Sequence, residues 1–354
     1  MRSTVCLLYA NCIPVKGAKH SIICDLQRQN YIQIPNDLYD VLHLHKGKSI
    51  EEIKAYYQHQ YDEIIDNYFR LLVENEYAFY TDTPELFPAM NLDWESPMEI
   101  SNAIIDFDEQ TDYNYKPALD QLSELFCKFI QFRYYYAAPL SEIKKVLEYL
   151  DDIQSNSIGI DIILPYSRQN SLEDFVDLFH RFKRVNTIVL SSSPHGKRIQ
   201  SMGSSKYLIQ IPTAITSEKC CGVVDKGMFS IHLQTFAEAQ AHNTCLNGKI
   251  SIDKRGMIRN CPSMPQSFGY VADVQLKEAI VDNRFKKYWN LGKDQIDGCK
   301  DCEFRYICTD CRAYTQDPDI DRSKPIKCGY DPYSGSWSDW SEHHLKPTKE
   351  LATV

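Results

Sequence analysis

The amino-acid sequence predicts an α/β protein built from three consecutive parts. Short apolar strands followed by amphipathic helices open the chain. From about residue 101, strand and helix patterns alternate, which is typical of parallel strands joined by crossover helices. The last third is rich in cysteine. Since the 354 residues suffice for two or three domains, we expect each pattern to form a structural unit.

Composition and charge exclude several classes of protein. A hydrophobic content of 43% predicts a folded protein, and a net charge of -9 leaves no basic surface for a nucleic acid. No run of roughly 20 apolar residues predicts a membrane span. The 13 cysteines occur without an export signal, so we expect a cytoplasmic location and metal ligation in place of disulfides.

The first 82 residues predict a winged-helix-like unit. The pattern indicates three strands, of which the first two are joined through Gly17, and then three helices. The predicted strands are Val5 to Leu8, Ser21 to Cys24 and Tyr31 to Ile34, and the predicted helices are Asp37 to His45, Ile50 to Gln58 and Asp62 to Glu74. A DNA-binding winged helix is the alternative, but the acidic helices would repel phosphate.

This order resembles the precursor-recognition domain found at the front of enzymes that modify ribosomally made peptides. The resemblance implies that a leader peptide adds a strand to the edge of the small sheet and packs against the third helix. The implied peptide-binding residues are Tyr31, Ile32, Gln33 and Ile34 on the strand and Ile65, Tyr68 and Phe69 on the helix.

A proline-containing linker is predicted at 83–100, followed by a partial α/β barrel at 101–240. The predicted barrel strands are Ala103 to Phe107, Phe129 to Tyr134, Gly159 to Leu164, Thr187 to Leu190, Tyr207 to Ile211 and Phe229 to Leu233. The predicted helices between them are Ala118 to Phe126, Leu140 to Leu150 and Leu172 to Phe182.

Seven cysteines in the last third have the spacing of a metal-binding region. A predicted hairpin, Lys249 to Cys261, has a cysteine near each end, and a helix is predicted from Leu276 to Tyr288. The seven candidate ligands are Cys245, Cys261, Cys299, Cys302, Cys308, Cys311 and Cys328. An all-sulfur donor set suits both iron–sulfur clusters and zinc, so both remain open on the residues alone.

The cysteine pattern of 241–340 resembles the SPASM domain of radical S-adenosylmethionine peptide maturases, which holds auxiliary 4Fe–4S clusters. The matching features are Gly256-x4-Cys261, Cys299-x2-Cys302-x5-Cys308 and Cys328, whereas Cys308 to Cys311 is one residue shorter than in the family. The resemblance implies one cluster on Cys299, Cys302, Cys308 and Cys328. It implies a second on Cys245, Cys261 and Cys311, whose fourth position is open or filled by Cys220 or Cys221.

The sequence lacks the motif that a radical S-adenosylmethionine enzyme requires. No Cys-x3-Cys-x2-Cys occurs, and the loop expected to carry it, 109–115, contains no cysteine. The cofactor motif expected after the second barrel strand is replaced by Tyr134-Tyr135-Tyr136-Ala137-Ala138. We therefore expect a degenerate barrel that does not use S-adenosylmethionine, and we assign no catalytic residue.

Taken together, the three parts resemble the grasp-with-SPASM peptide maturase family. The resemblance implies a role in maturing a ribosomally made peptide, with the precursor peptide and an ATP-grasp ligase as partners. We expect a leader-binding partner that is not itself catalytic. A redox enzyme that uses its iron–sulfur clusters and a zinc-stabilised interaction protein are the alternatives. The tail, 341–354, is polar and predicted to be disordered.

Overall fold

The computed structural model describes residues 4–201, 203 and 205–339, so the prediction for 341–354 lies outside the described residues. The N-terminal segment contains five strands and three helices. They are β1 (Val5–Leu8), β2 (Cys12–Val15), β3 (Ser21–Asp25), β4 (Asn30–Ile34), α1 (Asn36–Leu44), α2 (Ile50–Tyr56), α3 (Asp62–Glu74) and β5 (Ala78–Thr81). The three predicted strands and three predicted helices are confirmed, and two strands were not predicted.

The strand pairing at the start of the chain differs from the prediction. Strands β2, β3 and β4 form an antiparallel sheet, and β1 pairs instead with β5, so the predicted joining of β1 to β3 is wrong. A turn, closed by the Cys12 N–H donating to the Tyr9 carbonyl at 2.9 Å, separates β1 from β2. Pro14 lies in β2, where an edge strand tolerates the missing N–H.

The central segment is a large, mostly parallel sheet of eight strands in the order β10-β11-β9-β8-β7-β6-β12-β13. Its elements are β6 (Asn102–Phe107), α4 (Lys116–Glu124), β7 (Phe129–Tyr134), α5 (Leu140–Asp152), β8 (Gly159–Pro165), α6 (Leu172–Arg181), β9 (Val185–Ser191), β10 (Arg198–Ser201) and β11 (Tyr207–Gln210). Apolar residues of α4, α5 and α6 pack with Ile105, Phe132 and Ile162 in one core. The helices therefore cover one face of the sheet.

The last third of the chain contains α7 (Leu233–Ala239), β12 (Lys249–Ile252), β13 (Ile258–Arg259), α8 (Leu276–Val281), β14 (Tyr330–Asp331) and β15 (Ser336–Trp337). The predicted hairpin is confirmed as β12 and β13. The sequence did not predict where the hairpin lies in the fold. Strand β12 pairs in parallel with β6, with Lys249 opposite Asn102 and Ile252 opposite Ile105. The cysteine-rich hairpin therefore extends the central sheet.

Two predictions in this region are wrong. No strand spans Phe229 to Leu233: a 3₁₀ turn ends at Met228, and α7 begins at Leu233 with His232 as its N-cap. The period-two alternation of Phe229 and Ile231 reflects their packing in a core. The helix predicted from Leu276 to Tyr288 ends at Val281, because Asp282 is extended and accepts the backbone N–H of Arg284 at 2.8 Å.

A second core joins the N-terminal sheet to the cysteine-rich segment. Val15, Ile22 and Cys24 pack in one buried cluster with Phe304 and Ile307. The backbone N–H of Ala18 also donates to the carbonyl of Asp301 at 2.8 Å. Within the described residues, no helix is both long and apolar enough to cross a bilayer.

Candidate metal centres and peptide-binding surface

The first group of cysteines lies against the core that the cysteine-rich segment shares with the N-terminal sheet. It consists of Cys299, Cys302, Cys308 and Cys328, and the last three belong to that core. Cys299 begins a 3₁₀ turn, and residue 328 bridges to Val224. Burial raises the pKa of Cys299 to about 12, and the nearby Cys328 and Cys308 add to the increase. Cys308 and Cys328 thus lie close enough to Cys299 to act on its ionisation.

Lys293 is buried against this first group. Its side chain is 6% exposed, and its Nζ donates to the Cys308 Sγ at 3.2 Å and to the Thr309 carbonyl at 2.8 Å. Burial opposes the ammonium form, but Cys308 and Cys299 outweigh it and raise the pKa of Lys293. A buried ammonium is costly unless an anion compensates it. Thiolates in the first group, together with the nearby Asp310, would supply that compensation.

The second group contains Cys221, Cys245, Cys261 and Cys311. Cys245 and Cys261 flank the β12–β13 hairpin. Burial raises the pKa of Cys311 to about 12, with further contributions from Cys245, Cys261 and Cys221. Burial also raises the pKa of Cys261 to about 11, and Cys245 and Cys221 contribute. Cys221 thus lies within electrostatic range of the cysteines that the resemblance assigns to the second cluster.

Of the adjacent Cys220 and Cys221, it is Cys221 whose charge acts on Cys261 and Cys311. A Cβ built on Gly222 would lie 2.8 Å from the Cys311 Sγ, so the backbone after Cys221 touches the second group. Lys327 holds this segment by donating from Nζ to the Cys221 carbonyl at 2.8 Å. Cys220 instead contacts the Thr216 hydroxyl, with 3.9 Å between Sγ and Oγ1.

A lysine also accompanies the second group. The Nζ of Lys249 lies 3.6 Å from the Cys245 Sγ, within hydrogen-bonding range for sulfur. Burial works against the ammonium, yet Cys245, Cys261 and Cys221 together raise the pKa of Lys249. Each group of four thiols therefore has a cation beside it.

The fit of these groups to a metal cofactor rests on their donor chemistry. Among the described residues, no set of three or more His, Cys, Asp or Glu side chains is arranged to hold a metal ion. Each group nevertheless supplies four thiols, which are ligands for zinc and for iron–sulfur clusters. Metal binding would hold these thiols deprotonated, which is the charge state that Lys293 and Lys249 favour.

The seven residues predicted to bind a peptide do not share one accessible surface. Ile34, Ile65 and Phe69 are 1%, 2% and 3% exposed and belong to the core. Tyr31 packs against Phe304, with ring centroids 5.5 Å apart. Gln33 is exposed, whereas Ile32 and Tyr68 are half-buried.

Helix α3 presents a second apolar face that the predicted site omitted. Ile64 is 49% exposed and Leu71 is 38% exposed, and both lie on the same side as Tyr68 at a spacing of four and three residues. The adjacent apolar pairs 64–65 and 71–72 could have predicted this exposed face, because one member of each pair must point away from the core. Strand β4 is an edge strand that, among the described residues, pairs with β3.

No protein-family model matches the chain, and no curated protein matches it. Among solved structures, the chain is similar to Streptococcus suis SuiB bound to S-adenosylmethionine, with 10% identity, a TM-score of 0.38, and coverage of 87% of this chain and 96% of that one. It is also similar to SuiB bound to the precursor peptide SuiA, with 10% identity, a TM-score of 0.29, and coverage of 88% and 95%. Neither match is close enough to assign this chain to a family.

Proposed function

We propose that this protein acts in the maturation of a ribosomally made precursor peptide, holds two 4Fe–4S clusters of the auxiliary type, and works with an ATP-grasp ligase in the cytoplasm. The observation that carries the proposal is that a lysine contacts a cysteine sulfur in two separate places, Lys293 at Cys308 and Lys249 at Cys245. In this proposal 1–82 is the recognition domain, 83–100 the linker, 101–240 the partial barrel and 241–340 the cluster domain.

The first cluster would be held by Cys299, Cys302, Cys308 and Cys328, and the second by Cys221, Cys245, Cys261 and Cys311. Four thiolates around an iron–sulfur cube carry net negative charge, and cations and hydrogen bonds at the sulfur atoms stabilise it. Zinc would use the same donors, and the resemblance to the SPASM cysteine pattern favours iron–sulfur clusters over it.

The leader peptide would extend the small sheet along the edge of β4 and rest on the exposed face of α3. Added strands gain affinity from backbone hydrogen bonds and specificity from side-chain contacts. Gln33 and Ile32 lie on this edge, and Ile64, Tyr68 and Leu71 supply the apolar contacts. In this arrangement Ile34, Ile65 and Phe69 support the surface from the core, and Tyr31 anchors the strand to the cysteine-rich segment.

A guiding role suits the chain better than its own redox catalysis. The redox alternative relied on an open coordination position in a three-cysteine cluster, and Cys221 would fill that position. The sequence also lacks the cysteine motif that cleaves S-adenosylmethionine. Bond formation would therefore fall to the ligase, while this protein presents the peptide.

The test is the intact mass of the precursor after anaerobic co-expression with the ligase, with and without this protein. We expect successive losses of water that occur when the protein is present and fall in an Ile64→Glu variant. Equal water loss without the protein, or a loss of hydrogen that needs no ligase, would contradict the proposal.

A further inference from the structure

The face of the central sheet opposite its helices is lined by polar side chains. Because side chains alternate along a strand, residues 102, 131, 133, 161, 187 and 249 lie on this face. They surround a cavity of about 490 Å³ near the ends where the strands begin. A cavity of this size holds one or two amino-acid residues of a ligand.

Arg133 is the principal cation of the cavity. It is 9% exposed, and its Nε donates to the Gln131 Oε1 at 2.6 Å. A guanidinium has five N–H donors in a planar fork that matches a carboxylate. Among the described residues, the guanidinium hydrogen-bonds the side chains of Gln131 and Tyr135. The remaining donors are therefore available to a ligand.

No carboxylate of the described residues forms an ion pair with Arg133 within 4.0 Å. Asp106 is 1% exposed, and its Oδ2 accepts from the Tyr135 hydroxyl at 2.8 Å, while its Oδ1 has no partner. Asp161 lines the cavity, and Thr187 holds its carboxylate by hydrogen bonds. The charges of Asp106 and of Cys221 and Cys261 in the second cysteine group reach Arg133, but no carboxylate of the described residues contacts the guanidinium directly.

The mouth of the cavity is apolar. Phe129 is 50% exposed, Tyr207 is 41% exposed, and both line the cavity. A Cβ built on Gly159 would lie 2.6 Å from the Phe129 ring, so the glycine allows this ring to cover the start of β8. A ligand with apolar groups on both sides of its charge would match this rim.

We propose that this cavity binds the carboxylate side chain of a peptide segment, with the carboxylate on Arg133 and the flanking apolar side chains on the rim. The identification of the ligand as a peptide rests on the proposed function, whereas the carboxylate selectivity rests on Arg133. Lys249 lines the same cavity and donates to the Cys245 Sγ. Lys249 would therefore be the residue between the bound carboxylate and the second cysteine group.

The probes are acetyl-Phe-Glu-Phe-amide and its glutamine counterpart, acetyl-Phe-Gln-Phe-amide. Binding to the anaerobically purified full chain is measured by calorimetry and by ligand-observed nuclear magnetic resonance. We expect the glutamate peptide to bind about tenfold more tightly, as for a charge-assisted hydrogen-bond pair. Arg133→Gln should abolish that preference, and Arg133→Lys should retain part of it. The control Arg168→Gln removes an exposed guanidinium outside the cavity lining and should change neither affinity.

Two further variants keep the proposal testable if Arg133→Gln fails to fold. Tyr207→Ala should weaken both probes by the same factor, because the rim contacts their shared phenylalanines. Asp161→Asn removes a competing carboxylate and should strengthen binding of the glutamate probe. Equal affinity for both probes, or an unchanged preference in Arg133→Gln, would overturn the proposal. The probes contain no leader sequence, so leader binding and metal content measured on the same samples report separately on the proposed function.

Discussion

Lys293 and Lys249 each place a positive charge beside one of the two cysteine groups. Their ammonium groups lie 3.2 Å and 3.6 Å from the Cys308 and Cys245 sulfur atoms. Thiolates bound to a metal would balance these cations, and the carboxylate of Asp310 adds to the balance at Lys293. The spacing of the cysteines did not predict these lysines, because neither lysine is part of the cysteine motif.

Lys293→Met should destabilise the metal-loaded protein by about 3–5 kcal/mol, the usual cost of breaking a buried charge pair. The matched control is Lys300→Met, because Lys300 is half-exposed and pairs with Asp297 at 3.4 Å. It should cost less than about 1 kcal/mol. Anaerobic chemical denaturation measures both variants, and equal losses would show that the Lys293 contact has no special weight.

Comparing Gly222→Ala with Gly47→Ala distinguishes the effect of backbone strain from that of a steric clash with the second group. Gly222 has φ +86°, and its new Cβ would meet the Cys311 Sγ at 2.8 Å, whereas Gly47 has φ +80° with no atom within 4 Å. Both alanines should lose roughly 1–2 kcal/mol of stability from strain. Only Gly222→Ala should also lower the iron bound per chain. Normal iron content in this variant would place Cys221 outside the metal site.

At the scale of whole elements, local patterns predicted which segments form strands and helices better than they predicted pairing. The predicted start of the second helix at Ile50 is confirmed, and Ser49 and Glu52 form a capping box there. By contrast, the pairing of β1 with β5 and of β12 with β6 joins segments far apart in sequence, which local periodicity does not encode. In the candidate site, the sequence left Cys220 and Cys221 as alternatives, and the folded chain places the backbone after Cys221 against Cys311. The buried positions of Ile65 and Phe69 followed from tertiary packing.

Helix α3 offers a direct test of leader binding. Ile64→Glu and Leu71→Glu change exposed side chains, so both variants should fold normally while affinity for the leader falls about tenfold or more through lost apolar contact. Leu86→Glu, at a residue that is 70% exposed outside the α3 face, is the matched control. Fluorescence anisotropy of a labelled leader gives the affinities. Undiminished binding by both helix variants would exclude this face.

At the scale of the whole molecule, the shared core makes the N-terminal segment part of the cysteine-rich region. Val15, Ile22 and Leu26 pack with Phe304, Ile307 and Cys308 of the first group. The aromatic rings of Tyr31, Phe229 and Phe304 continue this contact. A peptide bound on β4 would therefore lie on a strand that is anchored to the cysteine-rich segment.

Deleting 1–82 should therefore do more than remove leader binding. It would expose the apolar surface around Phe304 and Ile307, and we expect a lower melting temperature and loss of iron from the first group. Iron and zinc analysis of the truncated and full chains measures this effect. A truncated chain that kept its full metal content and stability would show that the shared core has no structural role.

The central claim is that two groups of four cysteines hold iron–sulfur clusters, and metal and sulfide analysis of the anaerobically purified full chain tests it most directly. We predict about eight iron and eight sulfide per chain, as two 4Fe–4S clusters require. Cys221→Ser should lower the cluster content of the second group, and its neighbour Cys220→Ser should not. A colourless protein that contains zinc and no iron, or equal effects of the two serine variants, would contradict the account.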